Sequence, residues 1–131
     1  MRTLLWRHGM PQTELLLYQE EDGAVPLLEW LDGLTQKARD KCLVKLERLA
    51  ELGHELRRPE ADFLRDGIYE LRVGLNHVNY RMLYFFHGEG IVVLSHGLTK
   101  RKRVPPKEID LAIERKEIFV QAPETHTYRE D

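Results

Sequence analysis

Apolar positions along the chain change period near residue 60, from the three-to-four spacing of helices to the alternating and near-continuous runs of strands. Before that point, "TELLLYQ" (13–19) predicts a short strand and "EEDG" a turn. In "VPLLEWLDGL" (25–34), Leu27, Leu28, Trp30, Leu31 and Leu34 recur at helical spacing, with Pro26 near the helix start. Thr35 is placed to cap a second helix over 36–52, whose apolar face is Leu43, Leu46, Leu49 and Ala50. Gly53 is expected as its left-handed C-cap. The two helices should form a hairpin.

Three runs rich in Val, Ile, Tyr and Phe follow: "GIYELRVG" (67–74), "HVNYRMLYFFHG" (77–88) and "GIVVLSHGLTK" (90–100). The junctions "GLN" and "HGEG" suit tight connections, so the runs predict an antiparallel meander. "PPKEIDLAIERKEIF" (105–119) predicts a proline-started helix with Ile109, Ala112 and Ile113 on one face. The tail, 121–131, is polar and expected to fray. The order β-α-α-β-β-β-α predicts an α+β domain, with helices packed on one side of the sheet.

At 131 residues, 42% hydrophobic and 32% charged, the chain has the size and mixture of a single soluble domain. No apolar run is long enough for a membrane span or a signal peptide, so the expected compartment is the cytoplasm. The lone Cys42 excludes an internal disulfide and a cysteine metal cluster.

Charge changes the picture more. The formal net charge is −2, yet residues 1–66 sum to −3, residues 67–107 to +5 and residues 108–131 to −4. A basic segment between acidic ones can attract polyanions locally, which makes nucleic acid a candidate partner. Arg72 and Arg81 lie within predicted strands, and Lys100, Arg101, Lys102 and Arg103 close the last one. If the strands are neighbours, these cations converge at one edge of the sheet. A mid-strand arginine among apolar residues needs either a wet groove or a carboxylate partner, and Glu70 is at hand for the second.

Other candidates are His77, His87 and His96, any of which could move a proton, though no HxH or HExxH spacing suggests a metal site. Ser95 beside His96 reads as a nucleophile pair only if both side chains share a face, and neighbours in a regular strand do not. Tyr80, Tyr84, Phe85 and Phe86 could stack bases or fill the core. No glycine-rich phosphate loop is present, and no cofactor is called for. Arginine, lysine, tyrosine and histidine together suit metal-free RNA cleavage. There, guanidinium groups stabilise a pentacoordinate phosphorane while another group moves protons.

Read in order, "LxDGIYELR", "RxxYFF" and "HGxxKxxxxP" before a final helix resemble the phage-derived, HigB-like branch of the RelE/ParE toxin superfamily. The resemblance covers about residues 22–119 and leaves 1–13 as an N-terminal extension of a single domain spanning 1–131. It implies a RelE-like fold, a type II toxin–antitoxin module, and ribosome-dependent mRNA cleavage without a metal. The implied partners are a helix-turn-helix antitoxin of HigA type, the ribosome and its mRNA, with DNA reached only through the antitoxin complex. By position, Arg72, Arg81, Lys100, Arg101 and His96 fall on the catalytic constellation, and Lys102, Arg103 and Tyr84 on the RNA contact. The alternative is a non-catalytic, ParE-like relative that binds a protein such as gyrase, or only its antitoxin.

Overall fold

The computed structural model describes residues 13–130, apart from Arg101 and the side chain of Lys100. The predicted extension therefore lies almost wholly outside the described residues. The elements are β1 (Glu14–Leu17), α1 (Pro26–Asp32), α2 (Gln36–Leu52), a short 3-10 turn (Gly53–Glu55), β2 (Ala61–Arg65), β3 (Ile68–Leu75), β4 (Val78–Phe86), β5 (Ile91–Lys100) and α3 (Pro106–Gln121). This is the RelE-like α+β architecture: two consecutive helices, a mostly antiparallel sheet and a C-terminal helix. No helix among the described residues is long and apolar enough to cross a membrane.

Local chemistry sets the helix ends. Pro26 and Pro106 stand at the first positions of α1 and α3, where a missing N–H costs nothing. Thr35 Oγ1 accepts from the Ala38 amide at 3.2 Å, the cap expected for α2. Gly53 closes α2 at φ 52° and ψ −120°, a positive φ but not the helical left-handed well expected. Its N–H donates to Leu49 O.

The sheet runs β1-β5-β4-β3-β2, with β1 parallel to β5 and the other neighbours antiparallel. Two features correct the sequence reading. The meander has four strands rather than three, because "ADFLR" pairs with β3 through the two-residue turn Asp66–Gly67, both at positive φ. And the helices do not share one side. α1 and α2 cover a face bearing Leu71, Val73, Met82, Tyr84, Val92 and Leu94, while α3 covers the opposite face at Ile68, Leu83, Phe85, Val93 and Leu98. Successive residues of "MLYFF" point to opposite faces, and every one but Phe86 is buried, so both faces need a cover.

The tail does not fray after α3. Tyr18 and Thr127 form an antiparallel bridge, the His126 ring stacks on Tyr18 at 5.3 Å, and His126 Nδ1 meets Gln19 O at 2.8 Å. Polar composition misled here: His126 and Thr127 are buried, with their polar groups bonded to the main chain.

Candidate nucleic-acid interface

Register places Arg72 directly across from Arg81, Arg81 across from Leu98, and Lys100 across from Asn79. By strand alternation these positions share the α3 face. Two arginines in direct opposition repel, so their neighbours must supply the compensation. Glu70, on the same face of β3, accepts from both. Its Oε1 lies 2.8 Å from Arg81 Nη1 and its Oε2 lies 3.1 Å from Arg72 Nη2. Asp62 Oδ2 accepts from Arg72 Nη2 at 3.1 Å, and Asp62 Oδ1 pairs with Arg58 Nε at 3.0 Å. The result is a chain of alternating sign, Arg58–Asp62–Arg72–Glu70–Arg81, crossing β2, β3 and β4.

Burial grades along that chain. The Glu70 side chain is 3% exposed, Arg81 11% and Arg72 37%, so Arg72 reaches water and Arg81 forms the floor. The pairing with Glu70 that the sequence allowed is thus present for both arginines. The Nε of each is buried with no hydrogen-bond partner among the described residues, an unmet donor that costs about 1–3 kcal/mol. The guanidinium of Arg58 and the hydrogen bond to Phe63 N–H hold the Asp62 carboxyl below its usual range despite burial.

His96 faces the same side, two register positions from Leu98 and opposite Leu83. A bulge beside Leu83 and Tyr84 leaves Ser95 out of the pairing, and Ser95 Oγ reaches His96 Nδ1 at 2.7 Å. Strand alternation, which ruled that pair out, does not hold across a bulge. Ser95 is nevertheless fully buried, so no substrate can meet it as a nucleophile. The second ring nitrogen, Nε2, lies 3.0 Å from Glu108 Oε1 on α3. A carboxylate there fixes the proton on Nε2 and leaves Nδ1 to accept from the serine hydroxyl. Burial and the charge of Arg115 hold the ring below its ordinary pKa, against the pull of Glu108. Both ring nitrogens of His96 are therefore engaged within the protein.

Tyr84 also moves. It is 1% exposed on the α1–α2 face, stacked on Tyr69 at 5.4 Å, and burial drives its hydroxyl pKa far upward. A ring in the core offers no face to RNA. Lys102 and Arg103 are exposed at the bend after β5, and no carboxylate among the described residues engages them. Buried Val104 and the Pro105–Pro106 helix start fix the bend. Arg101 and the Lys100 side chain lie outside the described residues, though the Lys100 backbone ends β5 beside Asn79.

The structure thus brings Arg72, Arg81 and the Lys100 position to one end of one face, with Lys102 and Arg103 just beyond. Tyr84 is not brought there. Sequence reasoning missed Arg58 and Asp62 because β2 was not read as a strand; "RDGI", a hairpin signal, could have revealed it. It missed Glu108 because nothing in one sequence registers α3 against β5.

A search of curated proteins finds no match to this chain. The family model described as phage derived protein Gp49-like (DUF891) matches residues 29–117, from Glu29 on α1 through most of α3. That span holds the whole charge chain and the basic bend, and the chain belongs to this Gp49-like family of RelE/ParE-like toxins of toxin–antitoxin systems.

Proposed function

We propose that the protein is the toxin of a type II module and cleaves mRNA on the ribosome without a metal ion. The observation that carries this reading is the opposed Arg72–Arg81 pair, at the same end of the sheet as the Lys100 position, with exposed cations following at 102 and 103. The 2′-hydroxyl gives up its proton to water as its oxygen attacks the adjacent phosphorus, the P–O5′ bond breaks, and the 5′-oxygen leaves with a proton taken from water. The products are a 2′,3′-cyclic phosphate and a 5′-hydroxyl. Between them lies a phosphorane with added negative charge, which fixed guanidinium groups stabilise more than they stabilise the ground state. Arg72 and Arg81 supply that charge, and Lys100 through Arg103 hold the strand. His96 ties β5 to α3 and so positions the strand end.

Family membership implies an antitoxin partner in general. A helix-turn-helix antitoxin of HigA type fits, its carboxylates covering the basic end and its own domain contacting DNA. Mapping RNA ends on translated and naked messages tests the reading. New ends on translated messages only, unchanged by a chelator, are expected. Metal-dependent cleavage of naked RNA would overturn it.

One observation favours a second reading. Both arginines already hold carboxylates, as structural ion pairs do. A non-catalytic, ParE-like protein that grips gyrase would show toxicity with no new RNA ends, and one that binds only its antitoxin would show neither.

A further inference from the structure

At the β2 edge, on the far side of the charge chain, lies an open groove of about 580 Å³ lined by His54, Arg57, Arg58, Asp62, Phe63 and Tyr69, among others. Phe63 is the unusual residue: an aromatic side chain 53% exposed on an edge strand. Its ring meets Tyr69 edge-on at 5.2 Å, so it is braced from one side and open on the other. His54, which lines the groove, is itself stacked on Phe86 at 3.5 Å.

The charge is positive where it is free. Asp62 is held by Arg58 and Arg72, and nearby Glu60 by Lys45 and Arg48. Arg57 is exposed and engaged by no carboxylate among the described residues. A phosphate would therefore meet an uncommitted guanidinium beside an uncovered aromatic face.

A peptide strand is the obvious competitor at a sheet edge. Here the edge is already closed to it. The Ala61 amide donates to Arg57 O at 3.2 Å, and the Phe63 amide to Asp62 Oδ1 at 3.0 Å, so two donors that an added strand would need are taken. The groove, whose Phe63 and Tyr69 point to the α1–α2 face, meets the site described above around the sheet edge, where Arg58 lines it and is the first link of the chain to Arg81.

We infer that this groove holds one unpaired nucleobase of the RNA strand against Phe63, with its phosphate on Arg57. The inference rests on RNA as the substrate and adds where the strand is gripped beyond the point of cleavage.

The test is a titration of the full chain with a hexaribonucleotide carrying one 2-aminopurine and 2′-O-methyl groups that prevent cleavage. Stacking quenches the fluorescence of that base. Wild type should quench saturably, and Phe63→Trp should retain this. Phe63→Ala should bind at least about five-fold more weakly, the low end of what one base–aromatic stack contributes. Arg57→Ala should flatten the salt dependence by roughly 0.7 of a log–log unit, the share of one phosphate on a single strand. No quenching by wild type, or equal binding by Phe63→Ala, overturns the inference. So does a Phe63→Ala variant that binds the oligonucleotide normally but loses the antitoxin, since the groove then belongs to a protein. Phe63-dependent quenching by a protein that makes no new RNA ends would leave the groove standing and sink the cleavage reading alone. Cleavage by wild type with Phe63-independent binding would do the reverse.

Discussion

The indole of Trp30 on α1 rests on the backbone of Gly97 on β5: a Cβ built at residue 97 would overlap the six-membered ring, while the indole N–H donates to Thr99 Oγ1 at 3.3 Å. The glycine beside His96 is thus needed for close approach, not for a positive φ. Gly97→Ala should push Trp30 off the strand and cost about 1–3 kcal/mol, the usual range for overpacking. Urea unfolding of the variant measures this, and an unchanged midpoint would show that α1 can shift freely.

Glu70 sits almost fully buried between two guanidinium groups. Removing one member of a buried ionic set leaves the others uncompensated, typically at about 3–5 kcal/mol. Glu70→Ala should therefore destabilise the fold by an amount of that order, since among the described residues Arg72 and Arg81 would then keep only the Asp62 carboxylate, on Arg72. The destabilisation should shrink in the double variant Glu70→Ala/Arg81→Met, which removes the opposed charge as well. Equal destabilisation of the two proteins would mean that Glu70 acts through packing rather than charge.

Arg81→Lys separates the two readings of the site. Lysine keeps the positive charge opposite Glu70 but lacks the planar fork that suits a phosphorane. Cooperative unfolding should persist while the yield of new RNA ends falls by about 10²–10³, equivalent to roughly 2.7–4 kcal/mol in the barrier. A variant that cuts normally yet unfolds early would make Arg81 a structural pair.

The pH dependence of stability follows from His96 and the acidic residues of the β2 region. His96 is held below its ordinary value of 6.5, so the unfolded chain binds its proton more readily. Its contribution is present above pH 6.5 and is lost as pH falls through the lower folded value. Glu60 is lowered to about 2 by Arg48 and Lys45, so its contribution disappears only as pH falls from near 4.5 toward that value. His96→Asn should remove the upper step and leave the lower one. Unfolding free energies of both proteins between about pH 7.5 and pH 3 give the check. A wild-type curve with no slope between pH 6.5 and 5 would contradict the buried, neutral ring.

These residues also mark how far the sequence could be read. α2 was legible to its ends because a threonine cap, a heptad-like apolar face and a glycine bracket it. β4 and β5 were legible as strands, and their unbroken apolar runs already held the sign of a sheet covered on both faces, which went unread. β2 escaped because an edge strand of five residues, with charges at both Asp62 and Arg65, carries little periodicity. The opposition of Arg72 and Arg81 was foreseeable only as convergence; the register that makes it direct depends on the Asn76–His77 turn, both residues at positive φ. The Ser95 bulge has no sequence mark at all. It changes the role of His96 because one extra residue turns a serine toward a ring that it should have faced away from.

The basic bend carries the last prediction. Lys102 and Arg103 are exposed, unengaged by any carboxylate among the described residues, and anchored by Val104 and the start of α3. If they grip RNA phosphates, neutralising both as Lys102→Gln/Arg103→Gln should weaken ribosome binding alike across messages, because a grip on phosphate carries no sequence information. The log–log slope of affinity against salt should flatten by roughly 0.7–0.9 for each phosphate released. Stability should hardly change, since neither side chain is buried or paired with a carboxylate among the described residues. The chain's net charge of −2 makes the slope more telling than the affinity itself: long-range attraction is weak here, so a salt dependence must arise locally. Titrating ribosomes at several salt concentrations decides between the two roles. An unchanged slope would make the bend a solvated strand end, and the phosphate grip would have to be sought elsewhere on the sheet.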